Sequence, residues 1–165
     1  MRRESRWSWQ DRRCVSAEGL IYVTAKDIRV GQVLPSTTHK VTRRNILLYG
    51  KMVGGFNPVH EDEVIAEELG FEHIIAHGVM HLNYITQILC DFAGHPGGIK
   101  KIDVELLKPV YPDDEITARA VIETVEETGA LLTITCRVWS EKADGTLVIE
   151  GSATLEIAED ARSRA

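Results

Sequence analysis

Residues 75–92 read Ile-Ala-His-Gly-Val-Met-His-Leu-Asn-Tyr-Ile-Thr-Gln-Ile-Leu-Cys-Asp-Phe. Within them Val79, Met80, Leu82, Ile85, Ile88, Leu89 and Phe92 cover most of the circumference of a helix rather than one stripe, which predicts burial on several sides. The surroundings of such a helix are legible downstream. Ile102, Val104 and Leu106 alternate, as do the apolar positions of 116–125. Leu132, Ile134, Cys136 and Val138 follow, then Leu147, Ile149, Gly151, Ala153, Leu155 and Ile157 with Glu150, Thr154 and Glu156 on the other face. Asp144-Gly145 predicts a tight hairpin, because glycine tolerates the positive φ such turns require. Strands gathered after one apolar helix predict an antiparallel sheet wrapped around a central buried helix, an α+β fold.

Upstream, Thr24 to Val33 contains Asp27-Ile28-Arg29-Val30-Gly31, the pattern of a short turn, and 37–41 alternates weakly like a strand. Thr42 is placed to cap a helix in which Ile46, Tyr49 and Val53 recur on one side. Gly54-Gly55 should end it, the second glycine taking positive φ. Asp62 is a candidate cap for a second short helix, with Ile65, Ala66 and Leu69 inward and Gly70 as its stop. After the apolar helix, residues 91–98 hold Gly94, Pro96, Gly97 and Gly98, a strong break.

A chain of 165 residues suits one domain with a real core. The formal charge is −6, although residues 1–13 carry five arginines against Glu4 and Asp11, so the rest is more acidic still. That balance argues against nucleic acid as a partner. Cys14, Cys90 and Cys136 are scattered and odd in number, which suits reduced thiols in a cytoplasm. No apolar run reaches the ~18 residues of a membrane span, and the basic N-terminus lacks the apolar core of a signal peptide. Residues 1–20, with Trp7 and Trp9 among arginines, read as a mobile basic extension, 21–158 as the folded domain and 159–165 as a tail.

Two loops carry the chemistry. One is Val53-Gly54-Gly55-Phe56-Asn57-Pro58-Val59-His60; the other, Ile75-Ala76-His77-Gly78, opens the apolar helix. Histidine is the side chain suited to proton transfer near neutral pH, which makes His60 a candidate for that role. Pro58 fixes its own φ and holds Asn57 extended, which aims His60. Asn57 can brace the loop through backbone hydrogen bonds. Gly78 begins a helix, so its amide has no intrahelical partner and can point at an oxyanion; a glycine needed only for close packing accounts for the same residue.

These motifs, together with Lys108-Pro109-Val110-Tyr111-Pro112-Asp113-Asp114, resemble the MaoC-like dehydratases, the (R)-specific enoyl-CoA hydratases of the hot-dog fold, over roughly residues 24–157. The resemblance implies a single hot-dog domain and dimers whose sites lie between subunits. It also implies interconversion of a 2-enoyl thioester and a 3-hydroxyacyl thioester, on CoA or acyl carrier protein, without metal or organic cofactor. By the same resemblance His60 is the proton-transfer residue and Gly78 the oxyanion donor, with Asn57, His77 and Asn83 as substrate-side residues. The family motif is Asp-x-Asn-Pro-x-His, and the position of its Asp is Gly55 here.

That departure matters, because an acid–base group is worth about 10² to 10⁴ in rate. Glu61, Asp62, His81 or a residue of a partner chain are candidates to replace it. The alternative is a catalytically silent acyl-CoA-binding subunit that completes the site of an Asp-bearing partner chain. A hot-dog thioesterase is a third reading, which Gly55 does nothing to support. His73, His77 and His81 recur every four residues, but the break at 76–78 separates them, so no metal site is expected.

Overall fold

The computed structural model describes residues 28–55, 57–94, 98–129 and 131–158. The N-terminal extension expected at 1–20 and the tail at 159–165 lie outside the described residues. In chain order the elements are β1 (Thr37–Lys40), α1 (Arg43–Val53), a 3₁₀ turn (Pro58–His60), α2 (Glu63–Glu68), α3 (Gly78–Ala93), β2 (Ile99–Leu106), β3 (Glu115–Thr128), β4 (Leu131–Lys142) and β5 (Leu147–Ala158). The five strands form one sheet in the order β1-β3-β4-β5-β2, every neighbouring pair antiparallel. The α+β reading holds, and the architecture is the hot-dog arrangement.

The sheet closes around α3. Ile85, Ile88, Leu89 and Phe92 of that helix pack with Ile122, Ile134, Val138 and Leu155, and the alanines Ala118, Ala120 and Ala153 line the same core. Small residues there let helix and sheet approach closely, and the apolar face of the helix is buried against them. A second cluster joins Val41, Ile46, Val59, Ala66, Ile74, Ala76, Met80, Val110, Ile116 and Val148. This one fixes the two loops, because Val59, Ile74 and Ala76 belong to them. Strands β2 and β5 approach unusually closely at Gly151, where a Cβ would lie 2.0 Å from the Asp103 carbonyl oxygen.

The capping expectations hold: the Thr42 side chain accepts from the Asn45 amide, and Asp62 accepts from Val64 and Ile65. Three details differ. Gly54, rather than Gly55, adopts positive φ (67°), because it is the residue just beyond the helix; its amide and that of Gly55 both donate to Gly50 O. Val53 and Leu69, expected inward, are exposed, since each falls in the last turn or cap of its helix, past the cluster that covers the middle. Val79 is 59% exposed, because the sheet of one chain does not cover the first turn of α3 on that side. Among the described residues no helix is long and apolar enough to cross a membrane.

Candidate functional site

The two loops are fastened to each other. The Ile75 amide donates to Val59 O (3.2 Å), and His60 Nδ1 lies 2.8 Å from Ile75 O. Further bonds hold each loop from behind: the Ala76 amide donates to Val110 O at 2.8 Å and the Ile74 amide to the Glu63 carboxylate at 2.9 Å. The bond from Ile74 is the chief reason that the Glu63 carboxyl sits below the usual glutamate range. Asn57 caps the 3₁₀ turn through Oδ1, which accepts from the Val59 amide at 3.3 Å, with Pro58 at the first position of the turn. The bracing role read for Asn57 is therefore present, and that oxygen is already engaged.

Because a carbonyl can only accept, the contact with Ile75 puts a hydrogen on His60 Nδ1. In the neutral ring the lone pair is then on Nε2, and in the charged ring Nε2 carries the second hydrogen. Either way Nε2 is the ring nitrogen that the contact with Ile75 leaves unengaged.

The His60 ring stacks on His77, centroids 3.7 Å apart at 26°. His77 is 8% exposed, and neither of its ring nitrogens has a hydrogen-bond partner. Burial first, and the neighbouring His60 second, lower its pKa, while Glu61 opposes them. Gly50 of α1 makes the arrangement possible. A Cβ there would meet His77 Cε1 at 3.2 Å, His77 Nε2 at 3.3 Å and Glu61 Oε1 at 3.4 Å, so imidazole and carboxylate share the space that glycine leaves open. A Cβ on Gly55, where the resembled family has its Asp, would stand 4.0 Å from His77 Nε2.

Gly78 is the first residue of α3 and His77 its N-cap, without a side-chain cap bond. The Gly78 amide thus starts the helix beside the imidazole pair. The space a Cβ would need at Gly78 is filled by Leu106 Cδ1, at 2.5 Å, so close packing against β2 accounts for a glycine here as well. Asn83 Nδ2 donates to the Tyr49 hydroxyl at 3.2 Å, and the Tyr49 ring lies 5.3 Å from that of His77. Tyr49 is the residue that sequence reading missed as part of the site. Its helical spacing marked it as core, and nothing local signals that its hydroxyl bridges two helices.

Of the candidates to stand in for the carboxylate, Asp62 spends Oδ1 on the cap of α2. His81 is deeply buried, with both ring nitrogens unpartnered and a pKa pushed down to about 4 by burial. Glu61 shares the gap at Gly50 with His77 and acts electrostatically on it. Among the described residues no group of three His, Cys, Asp or Glu side chains is arranged to hold a metal, and His73 instead meets the Tyr111 ring edge-on.

The sequence pattern of the MaoC like domain matches residues 27–141. The chain belongs to this family. An (R)-specific enoyl-CoA hydratase of Rhodospirillum rubrum is similar to this MaoC-like domain, with 29% identity over 146 residues that make up 87% of this chain and 97% of that protein. Among solved structures, the (R)-hydratase from Aeromonas caviae superposes with a TM-score of 0.69 at 23% identity, covering 81% of this chain and 99% of that one, a likeness of fold. A chain of the ChsH1-ChsH2 complex from Mycobacterium tuberculosis superposes with a TM-score of 0.65 at 25% identity, over 79% of this chain and 97% of that one.

Proposed function

We propose that this MaoC-like domain interconverts a 2-enoyl thioester and a 3-hydroxyacyl thioester, with His60 as the proton-transfer residue and the Gly78 amide as the oxyanion donor. One observation carries the proposal: the bonds between Ile75, Val59 and His60 seat an imidazole with a committed tautomer next to the free N-terminus of α3. In hydration, His60 Nε2 takes a proton as water oxygen bonds to C3. The C2=C3 electron pair moves toward the thioester oxygen, where the Gly78 amide and the helix N-terminus stabilise the charge. His60 then returns the proton to C2, so proton and electron counts close. Dehydration is the reverse.

CoA or an acyl carrier protein carries the acyl group, and Tyr49 with Asn83 would line its approach. A dimer or larger assembly fits two features. Among the described residues the outer edge of β2 is unpaired, and Val79, Leu106 and Leu107 leave apolar surface beside the site. The scattered cysteines suit a cytoplasmic setting.

Gly55 favours a second reading, a silent subunit that completes the pocket of an Asp-bearing chain. Its support outside the sequence is that a chain of a two-component complex superposes on this one. Steady-state hydration of a short 2-enoyl-CoA by the purified chain decides between them. Turnover that falls about 10² to 10⁴-fold in His60→Gln supports the enzyme. No turnover alone, with activity on adding a second subunit, supports the silent role. Equal turnover by wild type and His60→Gln overturns the assignment of His60.

A further inference from the structure

We propose that His77 is the second proton-transfer residue of this site, with Glu61 as its counter-charge, so that a stacked imidazole pair does the work of the absent Asp. The inference rests on the hydratase reading above and deepens it.

Three observations converge. First, His77 is more than nine-tenths buried with both ring nitrogens unpartnered. Leaving such a group unsatisfied costs about 1–3 kcal/mol, and a catalytic role is one of the few reasons a native fold bears that cost. Second, His77 Nε2 stands 4.0 Å from where the Cβ of an Asp at position 55 would begin, so this nitrogen borders the space that carboxylate would enter. Third, the ring is held against His60 on one face, near Tyr49 on another, and shares with Glu61 the gap at Gly50.

The chemistry follows from the stacking. Two cationic rings 3.7 Å apart repel, so a proton on one ring disfavours a second proton on the other. Glu61 stabilises the first. The pair then presents one imidazole and one imidazolium together: the neutral ring takes the proton of water as oxygen bonds to C3, and the charged ring delivers its proton to C2. The pair ends with the single proton it began with, transferred between rings, and no outside acid is needed. The charged and titratable groups acting on His77 are His60 and Glu61, with His81 one turn further along α3; Asp114 and Lys142 act on His81.

The test compares hydration of a short 2-enoyl-CoA by wild type, His77→Gln, and His77→Gln combined with Gly55→Asp. Gly55 lacks positive φ and has only ordinary contacts around its Cβ position, so the backbone there accepts a side chain. The expected result is a fall in kcat of about 10² or more in His77→Gln, a pH profile that loses one limb, and recovery of at least tenfold on restoring the carboxylate. A merely structural His77 would not be rescued by an acid at position 55. Wild-type turnover with His77→Gln equally active overturns this inference and leaves the hydratase reading intact, whereas wild type inactive on 2-enoyl thioesters of both CoA and acyl carrier protein overturns both. Ring-nitrogen NMR of the wild-type chain gives an answer free of folding effects. His60 and His77 should titrate as a coupled pair; two independent titrations overturn the proposal.

Discussion

His60 and Ile75 are fifteen residues apart in sequence, yet the imidazole Nδ1 of one lies 2.8 Å from the carbonyl oxygen of the other. That bond, beside the one from the Ile75 amide to Val59 O, makes the orientation of the candidate acid–base group depend on two loops staying together. Loosening either loop therefore costs the tautomer as well as the position of the ring.

Gly50→Ala separates helix stability from site geometry. Alanine gains up to about 1 kcal/mol over glycine inside a helix, but here its Cβ would press on His77 and Glu61 at 3.2 to 3.4 Å. The expected outcome is a thermal midpoint within a few degrees of wild type and hydration lowered about tenfold or more. Unchanged turnover with an unchanged midpoint would mean that the two side chains yield freely and their placement is irrelevant.

At Gly78 the two explanations for a glycine part company in a pair of variants. Gly78→Ala drives a methyl into Leu106, an exposed side chain able to turn away, and Leu106→Ala removes the obstacle. If close approach of an acyl carbonyl matters, Gly78→Ala/Leu106→Ala regains stability but not kcat/KM. If glycine serves packing alone, stability and turnover return together.

Burial of His81 ties stability to pH. Its pKa is pushed from 6.5 in the unfolded chain down to about 4 in the fold, so over that interval the unfolded state binds more protons. Stability is consequently undiminished above about pH 6.5 and falls as pH drops toward 4, by on the order of 3 kcal/mol from this residue. His39 and His77, also lowered by burial, act in the same direction. Urea unfolding at neutral pH and at about pH 4.5 should show the loss, and His81→Leu should remove most of it. A slope unchanged in His81→Leu would refute the assignment.

Gly151→Ala tests the closest strand approach. The added Cβ would sit 2.0 Å from the Asp103 carbonyl oxygen and 2.7 Å from Val104 Cα, both backbone atoms that cannot rotate away. Overpacking of this kind costs about 1–3 kcal/mol or more. The midpoint should drop by several degrees, or β2 should detach from β5, seen as faster amide exchange in 99–106.

The sequence by itself settled the class of fold, because periodicity is a property of neighbouring residues. The crowded apolar positions of 79–92 and the alternation in β3, β4 and β5 need no distant partner to be read. Caps were equally legible: Thr42 and Asp62 bond to amides two or three positions away. The motif at 54–60 and 75–78 also marked both loops, and Asn57 braces the first as its chemistry suggested. Tertiary structure alone decided what those loops make together. It stacked His77 on His60, tied Asn83 to Tyr49 across two helices, set Leu106 over Gly78 and brought Glu61 to the gap at Gly50. The physical reason is that helix and strand signals arise from local backbone geometry. A site assembled from four separate segments depends on how those segments pack, and packing is fixed by shapes far apart in the chain.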